Sequence, residues 1–268
     1  MEKCFSKIHR HCIRITLMIS DVKIDKDLQD QYDGYYNDKN EEWRVICAKE
    51  KGDNILQMAK GYNFSNVLEY GSGDGSILEY LDKNSDFKNL YGVEISKSGI
   101  ESLKKKNIKK LVEVAKFDGY VLPYKDKEFD MVYCSHVIEH VEFPRILLRE
   151  IKRVSKYLII EIPLDYYIGV DKNVKHFLDY GHIDIYTPST FKFLLKSEKF
   201  KIIKQLHTNP SEKIIQYQWF VNQQQNKSLK NLLKLKSLKL KQLLKKIIFT
   251  KKFYKENSFS AYTCLCVC

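Results

Sequence analysis

No run of this chain approaches the roughly 20 apolar residues that a membrane-crossing helix needs. Arg14 interrupts the one short apolar run near the basic N-terminus, so a cleavable leader is not expected there. Met18 is a second candidate start, because the residues before it lack periodicity. Paired C-x-x-C spacing is also missing. The seven cysteines stand apart or, at Cys264, Cys266 and Cys268, alternate along what reads as a final strand. That excludes a disulfide framework and implies free thiols in a reducing compartment, hence a cytoplasmic protein. A metal site at the alternating cysteines is the minor alternative. Acidic residues are missing from one stretch only: Asn226 to Lys252 holds ten lysines and no acid, leaving 36 basic against 34 acidic residues elsewhere. The net charge of +12 is therefore one local feature of a nearly neutral chain.

The 268 residues suit one α/β domain with extensions. Residues 1–40 read as an irregular N-terminal arm, with turn signals at Asp33-Gly34 and Asn37-Asp38. Residues 41–268 read as the folded domain. A helix is expected over about 42–60, capped by Gly61. Short apolar strands at 66–70, 90–95, 111–117, 129–135 and 157–162 alternate with amphipathic helices, which implies a doubly wound parallel sheet. Thr187-Pro188 opens a further helix, and 200–206 with 260–267 form the last strand pair. Between those two strands, residues 211–256 make an insertion far longer than a hairpin turn requires.

The segment Val67-Leu68-Glu69-Tyr70-Gly71-Ser72-Gly73-Asp74-Gly75, with Glu94 closing the next apolar run, reads as strand, glycine turn, helix, strand, acid. Such an order lays a nucleoside-bearing cofactor across the tips of a parallel sheet. A dinucleotide loop would need glycine at the sixth position, where Ser76 stands. Glu69 would repel a pyrophosphate but suits a ligand with an ammonium and a sulfonium, and Glu94 can accept both hydroxyls of a ribose. S-adenosylmethionine meets these requirements better than NAD.

Glu69-x-Gly71-x-Gly73-x-Gly75 and Glu94 resemble the first two motifs of the class I S-adenosylmethionine-dependent methyltransferases. The likeness continues through Phe117-Asp118-Gly119, Leu122-Pro123-Tyr124, Phe129-Asp130-Met131-Val132, Ser135-His136-Val137-Ile138-Glu139-His140-Val141, Gly181-His182-Ile183 and Tyr186 to Phe191. It covers roughly residues 40–207 and resembles the small, stand-alone branch of the family. The resemblance implies a Rossmann-like, mostly parallel seven-stranded sheet with an antiparallel last strand. It also implies a cofactor site of Glu69, Gly71, Ser72, Gly73, Gly75, Glu94, Ile95, Asp118, Gly119 and Ser135, with Asp118 accepting from the adenine amino group. No C-x-x-x-C-x-x-C run is present, so radical use of that cofactor is not expected.

Methyl transfer from a sulfonium asks the protein mainly to align and desolvate the partners, and a base is needed only for a poor nucleophile. His136 and His182 are the candidate bases. His136, Glu139 and His140 at i, i+3 and i+4 share one helical face. Quinone-pathway O-methyltransferases and small-RNA 2′-O-methyltransferases are similar here, but carry Glu-x-x-Glu-His, with a later histidine, around Mg²⁺. With His136 in place of the first carboxylate, no metal is assigned, and Glu139, His140 and His182 stand as conditional ligands. The expected activity is methyl transfer to O or N of a small-molecule, lipid-linked or glycan acceptor. The alternatives are a metal-assisted RNA 2′-O-methyltransferase and a catalytically silent cofactor-binding scaffold. The insertion carries Leu229, Leu232, Leu233, Leu240, Leu243, Leu244 and Ile247 at helical spacing among lysines. It reads as a lid resting its apolar face on the domain, or as a peripheral contact at the inner membrane surface. Nucleic acid ranks third, because the segment has no arginine and only Phe249 as an aromatic.

Overall fold

The computed structural model describes residues 23, 26–33, 36, 41–166, 170–179 and 181–268. Met18 and the turn signals at Gly34 and Asn37-Asp38 lie outside them. Seven strands form one sheet: β1 Asn66–Tyr70, β2 Asn89–Glu94, β3 Leu111–Lys116, β4 Phe129–Ser135, β5 Ser155–Pro163, β6 Lys201–Thr208 and β7 Ala261–Val267. Their order is β3-β2-β1-β4-β5-β7-β6. Pairs among β1 to β5 are parallel, while β7 runs antiparallel to both β5 and β6. The uninterrupted apolar runs are explained by burial on both faces. Leu68, Tyr70, Val132, Cys134 and Ile160 enter one core layer, while Val67, Met131, Tyr133, Ile159 and Leu265 enter the other. Cys264 and Cys266 lie in the first layer with their sulfurs 3.7 Å apart, as free thiols.

Local chemistry sets the helices that serve the site. After α1 (Lys26–Asp33), α2 (Glu41–Ala59) ends before Gly61, whose φ of +87° lets the chain turn away. Helix α3 (Ser76–Asn84) starts at the glycine turn itself, with Gly75 at φ +75° as its N-cap. Ser96 caps α4 (Lys97–Lys104) by accepting from the Gly99 amide. Then follow α5 (Pro144–Val154), the short α6 (Val174–Asp179) and α7 (Pro188–Ser197); Thr187 and Thr190 close a capping box on α7.

Two expectations change. Lys26–Asp33 is a helix rather than part of an irregular arm. Tertiary bonds hold it: Gln29 Nε2 donates to the Ile95 carbonyl at 2.7 Å, Asp33 accepts from the Lys97 amide at 2.7 Å, and Ser98 Oγ donates to the Tyr32 carbonyl at 3.2 Å. Between β6 and β7 the chain forms α8 (Glu212–Tyr217), a wide π-type turn (Gln218–Asn222), α9 (Leu229–Ile248) and α10 (Lys251–Asn257). The apolar stripe of α9 does not rest on the domain. Leu229 and Ile247 are 74% and 72% exposed, whereas Leu235, on the opposite side of the helix, is 6% exposed. Among the described residues, no helix is long and apolar enough to cross a membrane.

Candidate active site

The strand order reverses between β1 and β4, and the crevice at the carboxyl ends of these strands is where such sheets bind ligands. Here the glycine turn leaving β1 faces the segment leaving β4. The approach is so close that a Cβ on Gly71 would lie 2.7 Å from Val137 Cγ2, and φ there is +76°. A cavity between the two is lined by Tyr70, Gly71, Glu94 and Ile95 on one side and His136, Val137 and His140 on the other. Tyr32 and Tyr36 line it as well. The Arg44 guanidinium stands 5.7 Å from the Tyr36 ring and pairs with Asp74 at 2.7 Å, which fastens α2 to the turn.

Glu94 is buried at the end of β2. Its carboxylate accepts from the Gly73 amide at 2.7 Å and from the Ser96 amide at 2.9 Å. Burial raises its pKa, and those backbone donors oppose the rise. Each oxygen keeps a second lone pair for a ligand hydroxyl. Ser72 in the glycine turn and Ser76 at the start of α3 have buried hydroxyls without hydrogen bonds. Gly119 and Phe117 line the cavity, and the Gly119 carbonyl accepts from Tyr70 Oη at 2.6 Å. Asp118 turns one oxygen back onto its own loop, accepting from the Tyr120 and Val121 amides at 2.9 and 2.7 Å.

Glu69 is not in this cavity. Strand alternation sends Tyr70 toward the ligand side and Glu69 to the opposite face. There it is buried and accepts from Tyr133 Oη at 2.9 Å. Desolvation pushes its pKa well above the ordinary carboxylate range. The Glu69 carboxylate is thus paired with Tyr133 and does not line the cavity.

After β4, His136 takes the left-handed conformation, φ +55°. This region is sparsely used by non-glycine residues, and its occupancy clusters at functional sites. The imidazole is held between two buried carboxylates, with Nε2 3.3 Å from Glu161 and Nδ1 3.5 Å from Glu139. Glu161, near the end of β5, also accepts from Thr263 Oγ1 and Asn54 Nδ2 at 2.7 Å each and from Ser135 Oγ at 3.2 Å. Burial alone would raise its pKa, but His136 and Thr263 outweigh it and hold Glu161 down at about 2. Ser135 thus serves Glu161 and does not line the cavity.

Ile138–His140 is a single 3-10 turn that buries the Glu139 side chain. The backbone carbonyl of Glu139 accepts from the Ile183 and Asp184 amides at 3.0 Å, and this brings His182 alongside. The rings of His140 and His182 sit 4.8 Å apart. Potential ligand atoms of Glu139, His140 and His182 all fall within 4.8 Å of one another. His140 Nδ1 meets the Gly181 carbonyl at 2.9 Å, so it must donate there, leaving Nε2 as the acceptor. Burial, with His182 adding to it, lowers the His140 pKa to about 4. His182 Nδ1 lies 2.7 Å from Asp165; burial would lower its pKa, but Asp165 more than compensates and raises it. Neither carboxylate oxygen of Glu139 has a hydrogen bond, and burial raises its pKa.

Comparison with known proteins agrees with this geometry. Residues 68–157 match the family model described as a methyltransferase domain. A search of curated proteins finds no match. Among solved structures, a methyltransferase bound to the Haloferax volcanii Trm112 methyltransferase activator is similar at 12% identity and a TM-score of 0.59, covering 88% of this chain and 97% of that one. An S-adenosylmethionine-dependent methyltransferase from Archaeoglobus fulgidus is 22% identical over 85% of this chain and 97% of its own, with a TM-score of 0.55. Haemonchus contortus phosphoethanolamine N-methyltransferase 2, in complex with S-adenosylmethionine, is 14% identical over 88% of this chain and 59% of that one, at a TM-score of 0.57. At these identities the structures establish the fold. The family match identifies residues 68–157 as a methyltransferase domain, a family that uses S-adenosylmethionine.

Sequence reasoning missed Glu161, hidden at the end of an apolar run, and Asp165, in the loop beyond it. Tyr32 and Tyr36 were missed as well, although aromatics clustered in a supposedly irregular arm are a signal that could have found them.

Proposed function

We propose that this chain moves a methyl group from S-adenosylmethionine to an oxygen or nitrogen of a small-molecule, lipid-linked or glycan acceptor, with His136 taking the acceptor's proton. The observation that carries the reading is that one cavity joins Glu94 and the glycine turn to His136. S-adenosylmethionine supplies the methyl as a sulfonium, so the neutral thioether departs with the electrons of the broken bond. The glycine turn and Glu94 hold the nucleoside end, and Tyr32 and Tyr36 keep water out. Glu161 and Glu139 flank the His136 ring and orient it at the acceptor side of the cavity, the role a carboxylate plays beside an imidazole base. His182, paired with Asp165, is a second proton acceptor at the rim.

The test is transfer of labelled methyl into cell extract, fractionated into small molecules, lipids, glycans and RNA. Label is expected in one of the first three fractions and should fall about 100-fold or more in His136→Gln at unchanged cofactor affinity. Label confined to RNA, or cofactor binding with no transfer to any fraction, overturns the reading in favour of the RNA-modifying or scaffold alternative.

A second reading, cation-assisted transfer, has one observation in its favour. Glu139 keeps two unbonded buried oxygens beside Nε2 of His140, while His140 and His182 both engage oxygen through Nδ1, the arrangement that orients metal-ligating imidazoles. One carboxylate and two imidazoles suit Zn²⁺ or Mn²⁺ better than Mg²⁺, and such an ion would polarise an acceptor hydroxyl. Titration with Zn²⁺ should then show one-to-one binding that Glu139→Gln removes; absence of binding, with activity insensitive to EDTA, discards this reading.

A further inference from the structure

Helix α9 is inverted relative to an ordinary surface helix. Asn231, Leu235, Leu238 and Gln242 form the narrow spine turned to the protein, where Leu235 is buried and Gln242 Nε2 donates to the Ser258 carbonyl at 3.1 Å. Residues recurring at three and four positions share a face. The stripe of Leu229, Leu233, Leu240, Leu243, Leu244 and Ile247 therefore projects on the side away from that spine, and all six are exposed. At the helix end Phe249 and Phe253, 4.8 Å apart, are exposed too. The helix rotation places Lys230 and Lys241 beside one edge of the stripe, Lys246 toward the other and Lys236 within the stripe itself, with no acid from Asn226 to Lys252.

We infer that this outward face of α9 docks the protein on an anionic membrane surface. An apolar stripe set among lysines is the pattern by which a helix lies in a bilayer interface, its leucines among the acyl chains and its ammonium groups reaching the headgroups. The charge selects this occupant over a second copy of the chain, because packing two such faces together would set lysines of like sign against each other. The rest of the chain is nearly neutral, so attraction to negative lipid is concentrated at this helix. Both ends of the insertion leave the sheet at the edge that carries the cavity, since Ala261 pairs with Pro163 and Thr208 at the carboxyl end of β5. The inference does not depend on the identity of the methyl acceptor.

The experiment is sedimentation of the full chain with vesicles of phosphatidylcholine alone or with about 30% phosphatidylserine. Binding should be about tenfold stronger to the anionic vesicles and should weaken in about 0.5 M salt. The triple variant Leu233→Glu, Leu240→Glu, Leu244→Glu alters only exposed positions. It should keep its circular dichroism spectrum and its affinity for S-adenosylmethionine while losing vesicle binding about tenfold or more. Equal partitioning to both vesicle types, or undiminished binding by the triple variant, would overturn the inference. So would a solution dimer that the triple variant dissociates, with no vesicle binding by either protein.

Discussion

Replacing Glu161 by Gln removes a charge but almost no volume, so its effect isolates the electrostatics that hold His136. The carboxylate serves four groups: Thr263 and Asn54 through one oxygen, Ser135 and His136 through the other. A glutamine amide has one oxygen, so whichever way it sits, one pair of these neighbours faces an NH₂ in place of an acceptor. The size of the effect follows from the pKa of about 2 in the folded protein. Against an ordinary glutamate near 4.3 to 4.5, a depression of that size is worth about 3 kcal/mol at neutral pH. The sign is fixed by the depression. The stability is fully present above the unfolded-state pKa and is lost as pH falls toward the folded one. Urea unfolding of wild type and Glu161→Gln should therefore differ by about 3 kcal/mol at pH 7 and by less than half of that at pH 3. A difference below about 0.5 kcal/mol, or one of constant size across that range, would refute the view of Glu161 as an ionised anchor for His136.

Other consequences follow from the same geometry. Gly71→Ala forces a left-handed backbone on alanine and drives a methyl against Val137, and it should cost about 2 kcal/mol and weaken S-adenosylmethionine about tenfold. A stability loss without loss of binding would show that the turn does not border the ligand. Asp165→Asn should lower the His182 pKa, read by NMR titration of the ring, because Asp165 is what raises it. The wild type's advantage in stability should be present below the unfolded-state pKa of His182, near 6.5, and vanish as pH rises through the raised folded value. An unchanged His182 titration would mean that the pair does not persist in solution.

The parts of the fold that were legible are those set by short-range spacing. The glycine turn between β1 and α3, Glu94 closing β2 and the proline opening α7 each depend on neighbours a few residues away. For Glu69, motif position gives proximity along the chain, whereas the pleat of β1 decides the face. Glu161 was hidden because a carboxylate ending an apolar run gives no sign that Thr263, about a hundred residues on, will donate to it. Helix α1 owes its place to Ile95, Lys97 and Ser98, partners that no local pattern reveals. The periodicity of α9 announced an apolar stripe but not its direction, which the smaller contacts of Leu235 and Gln242 decide.

The central claim is that the crevice between β1 and β4 holds S-adenosylmethionine through Glu94 and the glycine turn, with Glu69 outside it. Calorimetric titration of S-adenosylmethionine into wild type, Glu94→Ala and Glu69→Gln tests this most directly. One-to-one binding by wild type, weakened about tenfold or more by Glu94→Ala and left within about threefold by Glu69→Gln, is the predicted result. Binding that survives Glu94→Ala but fails in Glu69→Gln would contradict the account, as would a wild type that binds no S-adenosylmethionine at all.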